Sequence, residues 1–327
     1  MIFLLLSFFK PSLGNEVIYA DRKIYYLAEF RSILNQSNNN SSFIFSSRSG
    51  MISPPDTFYI SVDRALITLK YKGFEMFFGR ENISWGYGLF YSPYSYARSI
   101  ASPLDIELLR KGQNIAGVRY QNIKFITPEL LFFLPRKTPD FDSLKLGLRA
   151  NFFYRNLEFH IPLVYSIDSI FTGLGTRYSI FDFTVFIDYS LTYSNKETSG
   201  SMVTGLNRYL GDNFFLQAEY FYNQKGLGSD EYDNLPYNIL QEKILLGYTG
   251  KHYLYSSLQY LYKQENTISL FSLINPLWKS GLWGLSLSST RFTNSLVMFY
   301  FIRIIRGREF EYIPANNIYS LEFRYYF

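Results

Sequence analysis

The chain has 327 residues, of which 47% are hydrophobic and 20% aromatic, mostly Phe (32) and Tyr (30). That is too apolar for a disordered chain, and the formal charge of +5, with no run of Lys or Arg, offers no nucleic-acid patch. Cysteine is absent, which excludes disulfides and thiolate metal sites, and no stretch of about 18 apolar residues could form a spanning helix.

The chain begins with an apolar run, MIFLLLSFF, followed by Lys10, Pro11 and the small residues around Gly14. This is the pattern of a secretory leader over residues 1–14, without the usual basic residue in front, and an ordinary first strand is the alternative. Residues 15–327 read as one domain, with no linker and no second composition. A strand is expected around Lys23–Leu34, then a polar loop over Asn35–Asp56 in which Ser41–Ser49 could add a strand. Asp63 to Phe74 reads as a hairpin turning at Lys72-Gly73. After it come glycines and aromatics, from Phe78-Gly79-Arg80 through Trp85-Gly86-Tyr87-Gly88 to Tyr91 and Pro93, opening a long loop over Ile83–Lys111.

Beyond that loop the alternation is regular. Leu144, Leu146, Leu148, Ala150, Phe152 and Tyr154 share one face, and Lys145, Gly147, Arg149 and Asn151 the other. Leu157–Tyr165, Phe183–Tyr193 and Phe214–Tyr222 repeat the pattern, with Glu158, His160, Asp188 and Glu219 among the polar partners. Side chains alternate across a strand, so each segment has one apolar and one polar face. The segments are roughly ten residues long, enough to cross a bilayer at a tilt, and their apolar faces end in Tyr or Phe, as in an interfacial girdle.

Short turns are expected at Lys72-Gly73, Asn122-Ile123, Arg155-Asn156, Phe181-Asp182, Gly211-Asp212, Gly250-Lys251 and Phe292-Thr293. Longer loops lie between them: Arg136–Asp142, Asn195–Gly200, Lys225–Pro236, Glu265–Lys279 and Gly307–Asn316, with Thr267–Ile274 a further place for a strand. Short turns against long loops give a transmembrane, antiparallel, up-and-down all-β barrel of about sixteen strands, with fourteen and eighteen as the alternatives.

Two segments carry a family resemblance. The last strand, YSLEFRYYF, puts Tyr319, Leu321, Phe323, Tyr325 and Phe327 on one face. It resembles the closing strand of bacterial outer-membrane barrels, in which such a tail is the signal for the barrel-assembly machinery. The block from Ser61 to Asp105 resembles one seen in porin-like and capsule-assembly barrels: Asp-Arg-Ala, a hairpin, then Gly-Arg followed by Trp-Gly-x-Gly and a Pro. It departs from them at Glu81, where Gln is common, and at Leu66, where an aromatic is common. The resemblance implies an outer-membrane location, the lipid bilayer as partner, and the tail strand pairing with the strand around Lys23–Leu34.

The residues expected to line a constriction or touch a ligand are Arg64, Arg80, Trp85, Tyr87, Tyr91, Arg119, Arg149 and Arg177. Their aromatic faces and guanidiniums could hold sugars or anionic groups; the alternative is that the loop packs into the lumen as a plug. Charges along the strands, Lys70, Lys243, Arg303 and Arg324 among them and opposed by Glu75, Asp182 and Glu322, read as lumen-facing ion pairs. The two histidines, His160 and His252, have no metal-ligand spacing, and no nucleophile motif or phosphate loop is found, so neither catalysis nor a cofactor is expected. The expected function is a passive porin-like channel for small solutes, with a polysaccharide-binding or capsule-assembly barrel as the alternative.

Overall fold

The computed structural model describes residues 9–20, 23–53, 57–81, 83, 85–88, 113–134, 144–194, 197–228, 250–263, 265–277, 279–291, 294–305 and 317–326. Among these residues the chain folds as β1 (Phe9–Ala20), β2 (Lys23–Ser37), β3 (Ser41–Ser53), β4 (Thr57–Tyr71), β5 (Phe74–Glu81) and β6 (Gln113–Tyr120). There follow β7 (Ile126–Leu134), β8 (Lys145–Tyr154), β9 (Leu157–Ser166), β10 (Ser169–Ile180), β11 (Phe183–Ser194) and β12 (Thr198–Leu210). The wall is completed by β13 (Phe214–Asn223), β14 (His252–Tyr262), β15 (Asn266–Asn275), β16 (Ser280–Ser289), β17 (Ser295–Ile305) and β18 (Asn317–Tyr326). Every strand pairs antiparallel with its sequence neighbours, and β1 pairs with β18 from Ser12↔Tyr326 to Ala20↔Ile318. The 18-stranded sheet therefore closes on itself and leaves no edge.

Several expectations are corrected here. The count is eighteen, the upper alternative, because β3 and β15 occupy the segments read as loops over Asn35–Asp56 and Glu265–Lys279. β3 is rich in Ser and β15 carries apolar residues on both faces, so their alternation is weak. The tail does not pair with Lys23–Leu34. It pairs with β1, whose residues Phe9–Gly14 overlap the segment expected to be a leader.

The strands flanking 82–112, 224–251 and 306–316 meet these connections at one end of the barrel, an end shared with the two-residue turn Ile167-Asp168, and the turns Lys72-Gly73, Arg155-Asn156 and Phe181-Asp182 lie at the other. In the two-residue turn Lys72-Gly73 both residues have positive φ, 47° and 85°, which matches the twist of the hairpin it closes. Gly250-Lys251 is not a turn of that end. It precedes β14 at the loop end, so His252 starts its strand there as well.

The barrel is apolar outside. Leu148 and Ile187 are 43% and 41% exposed, with Leu163, Tyr189, Leu254, Leu270 and Leu321 exposed beside them. Tyr319, Phe323 and Tyr325 of the tail belong to the same outer face, whereas Ser320, Glu322 and Arg324 are buried inside. Phe327 lies outside the described residues. Asp188, Glu129, Glu219, Gln217 and His160 are likewise buried in the interior. Charges inside and exposed aliphatics outside are the inverse of a soluble barrel.

The interior is not uniformly polar. One apolar cluster spans β4–β10, with Leu66, Ile115, Leu131, Phe133, Val164 and Phe171. A second lies against β11–β17, with Phe186, Val203, Phe221, Leu273, Leu282 and Ile302. Arg303 corrects another expectation: it alternates with the buried Ile302 and Ile304 and is exposed on the outer side, near the loop end. Asp182 sits in the turn between β10 and β11, and Lys243 lies outside the described residues.

Candidate constriction site

The site is built by the segment that leaves β5. Gly79 has φ +134°, and a Cβ there would lie 1.9 Å from the Ala65 carbonyl oxygen, so only glycine lets β5 approach β4 this closely. Two residues later Glu81 forms an ion pair with Arg64 of β4. The chain then turns inward, and Ile83, Trp85 and Gly88 are buried inside the barrel.

Trp85 is 1% exposed. Its indole Nε1 donates to Glu129 Oε1 of β7 at 3.3 Å, and its ring meets Phe133 edge-on at 5.9 Å between centroids. The Arg149 guanidinium lies 5.6 Å from the ring centroid, within reach of a cation–π contact. The ring has room because β8 carries Gly147 here; a Cβ at that position would come within 2.7 Å of Trp85 and 2.9 Å of Phe133.

Glu129 binds the strands together as well as the segment. Arg119 of β6 donates to it through Nε at 2.7 Å, and Arg149 of β8 through Nη2 at 3.1 Å. Arg119 also lies 3.6 Å from Glu75 of β5. Removing one member of such a buried pair would leave the others uncompensated, typically at a cost of ~3–5 kcal/mol.

The far end of the segment is held four strands further round the wall, by β11. Asp188, 0% exposed, accepts the backbone N–H of Tyr87 at 2.7 Å and that of Gly88 at 3.1 Å, both through Oδ2. Its Oδ1 lies 3.7 Å from His160 Nε2 of β9. His160, Gly175 and Asp188 are register partners on β9, β10 and β11, and the missing side chain of Gly175 leaves the gap that the other two fill. A Cβ there would sit 2.3 Å from each of them. The Tyr87 ring packs on His160 at 4.8 Å and under the Arg177 guanidinium at 5.0 Å, while Arg177 pairs with Glu158 at 2.6 Å. Burial, with Glu158 adding to it, pushes the Tyr87 phenol up to about 12, so it stays neutral.

The sequence-derived candidates therefore separate. Arg64, Trp85, Tyr87, Arg119, Arg149 and Arg177 come together around one segment, with a cavity of about 340 Å³ beside Arg64, Arg119 and Arg149. Arg80 pairs with Ala65 and Asn114 and alternates with the inward Glu81, so by register it shares the face of Met76 and Phe78. Tyr91 lies outside the described residues. Trp85 and Tyr87 are packed against the wall, which leaves their faces unavailable for stacking on a sugar. The residues that sequence reasoning undervalued are Glu129, Asp188 and His160. A lone carboxylate in the apolar strand ITPELLFFL, and an Asp in FTVFIDYSL, were the signals available.

No family model and no curated protein matches the sequence. Solved structures do match in shape. A triple mutant of the Rhodopseudomonas blastica porin aligns with TM-score 0.54 at 10% identity, over 98% of this chain and 99% of the other. Pseudomonas aeruginosa OccK5 aligns with TM-score 0.63 at 10% identity, over 98% and 96%. P. aeruginosa OccK2, in complex with glucuronate, gives 0.61 at 10%, over 97% of each chain. At that identity the likeness establishes the fold alone, a closed antiparallel β-barrel of the shape these porins adopt.

Proposed function

We propose that this chain is a passive channel for small solutes in a bacterial outer membrane. The observation that carries the reading is the segment Ile83–Gly88, folded into an inside-out barrel and tied to β7 by Trp85 and to β11 by Asp188. Such a strut narrows a lumen without any moving part, and selection then falls to the side chains left around it. The outer apolar band supports the bilayer as partner, and the aromatic tail strand supports delivery by barrel-assembly machinery. No bond is made or broken in this reading, so the chain is not an enzyme. The fold neighbours are porins and porin-like channels, which supports the same conclusion.

The test is reconstitution of the refolded protein in planar bilayers. Discrete, ohmic current steps are expected, together with anomalous gel mobility until boiling and fractionation with the outer membrane. A folded protein that conducts no ions, or recovery from the soluble periplasm, would overturn the proposal.

A further inference from the structure

Five adjacent strands carry one continuous charge row inside the barrel. Lys70 on β4 is the register partner of Glu75 on β5, Glu75 of Arg119 on β6, Arg119 of Glu129 on β7, and Glu129 of Arg149 on β8. The signs alternate without a break. Two residues along each strand toward the loop end lies a different row on the same face, Thr68, Phe77, Gly117, Leu131 and Gly147. Apolar surface thus lies directly beside charge of alternating sign.

The 340 Å³ cavity opens where the two rows meet under the inward segment. Its ionisable lining is three arginines, Arg64, Arg119 and Arg149, and three glutamates, Glu75, Glu81 and Glu129, so the formal charges cancel. Its apolar lining includes Leu66, Ile115 and Leu131, all buried, with Ile83 contributed by the segment itself. Both signs reach the water: the Arg64 and Arg119 side chains are 42% and 32% exposed, and those of Glu75 and Glu81 are each 17% exposed. The volume falls within the range of small-molecule pockets.

We infer that this cavity is a binding subsite for small zwitterions bearing an apolar group, of which a free amino acid with an aromatic or branched side chain is the simplest. The inference rests on the channel reading and specifies its solute class. The physical reason is that guanidinium and carboxylate sit side by side on paired strands. A solute anion gains an arginine and is repelled by the adjoining glutamate, and a solute cation meets the reverse. A zwitterion presents an opposite charge to each, and its apolar group covers Leu66 and Ile83. Discrimination arises as much from the mismatched charge as from the matched one.

The experiment measures interruption of single-channel current at neutral pH by four probes: phenylalanine, its anionic relative phenylacetate, its cationic relative phenethylamine, and glycine, a zwitterion without the apolar group. Phenylalanine is expected to interrupt the current at a concentration about tenfold below that of the other three. Arg64→Gln, a change at a half-exposed side chain, should move the preference from phenylalanine toward phenethylamine, because the lining becomes net negative. Leu66→Ser should weaken phenylalanine and leave glycine unchanged. Phenylacetate as the strongest probe, or four probes of equal effect, would overturn the inference while leaving the channel standing. A protein that conducts nothing would remove the channel reading and this inference with it.

Discussion

Asp188 is the most informative residue to change, because it holds the far end of the inward segment on β11. Its Oδ2 accepts two backbone N–H groups, at 2.7 and 3.1 Å. Hydrogen bonds to a charged acceptor contribute ~1.5–3 kcal/mol each, or ~3–6 kcal/mol for the pair. Burying the carboxylate takes part of that back, leaving ~2–4 kcal/mol to hold the Tyr87–Gly88 end of the segment down. At ~1.4 kcal/mol per tenfold, the released state is occupied from a few per cent down to ~0.1% of the time. Asp188→Ala removes the acceptor from both N–H groups, and the released state should then be populated on the order of half the time or more. Asp188→Asn keeps a carbonyl oxygen in the same place and should fall between, since neutral bonds contribute ~0.5–1.5 kcal/mol each. Single-channel recording in planar bilayers reads this directly. Wild type should give steady steps, Asp188→Ala a larger mean conductance with flicker and a higher solute size limit. The reasoning fails if Asp188→Ala, with its folding verified by heat-modifiable mobility, matches wild type in conductance, noise and size limit.

Further outcomes follow from the same structure. Leu148→Arg and Ile187→Arg place a charge on the outer apolar face and should each cost ~2–4 kcal/mol, measured by denaturant unfolding in liposomes. Thr184→Arg, on the inner face, should cost much less and change conductance; equal tolerance at all three sites would refute the inside-out assignment. Gly147→Ala puts a methyl group against the Trp85 ring, which must shift, at a cost of ~1–3 kcal/mol, and tryptophan emission should move to the red as the indole leaves its pocket. Unchanged emission would show that the ring is not packed against Gly147. Deleting Phe327 removes a side chain whose burial is worth only ~1.5–3 kcal/mol, so refolding into detergent should be nearly normal while assembly in cells falls sharply. Normal insertion in cells would make the tail an ordinary strand.

Strand identity was written in the local pattern, whereas the inside-out face assignment rested on the number of such strands. A period of two needs no distant partner to be recognised, and Leu144–Tyr154 or Phe183–Tyr193 states it plainly. The same pattern fails where alternation is weak. The serine-rich β3, and β15, which is apolar on both faces, have too little contrast to announce themselves, so the count of eighteen and the β1–β18 seam were decided by closure of the ring. The site divides in the same way. Arg64, Trp85, Tyr87, Arg119, Arg149 and Arg177 could be picked out because charge and aromatic residues in a strand barrel or a glycine-punctuated loop demand a partner. Which partner was not legible. Trp85 and Glu129 are 44 positions apart in the chain, and Tyr87 and Asp188 are 101 apart. Their meeting depends on barrel register and on the missing side chains of Gly147 and Gly175. Glycine in a strand reads locally as a weak point, and only the folded barrel shows it to be the space into which Trp85, His160 and Asp188 fit.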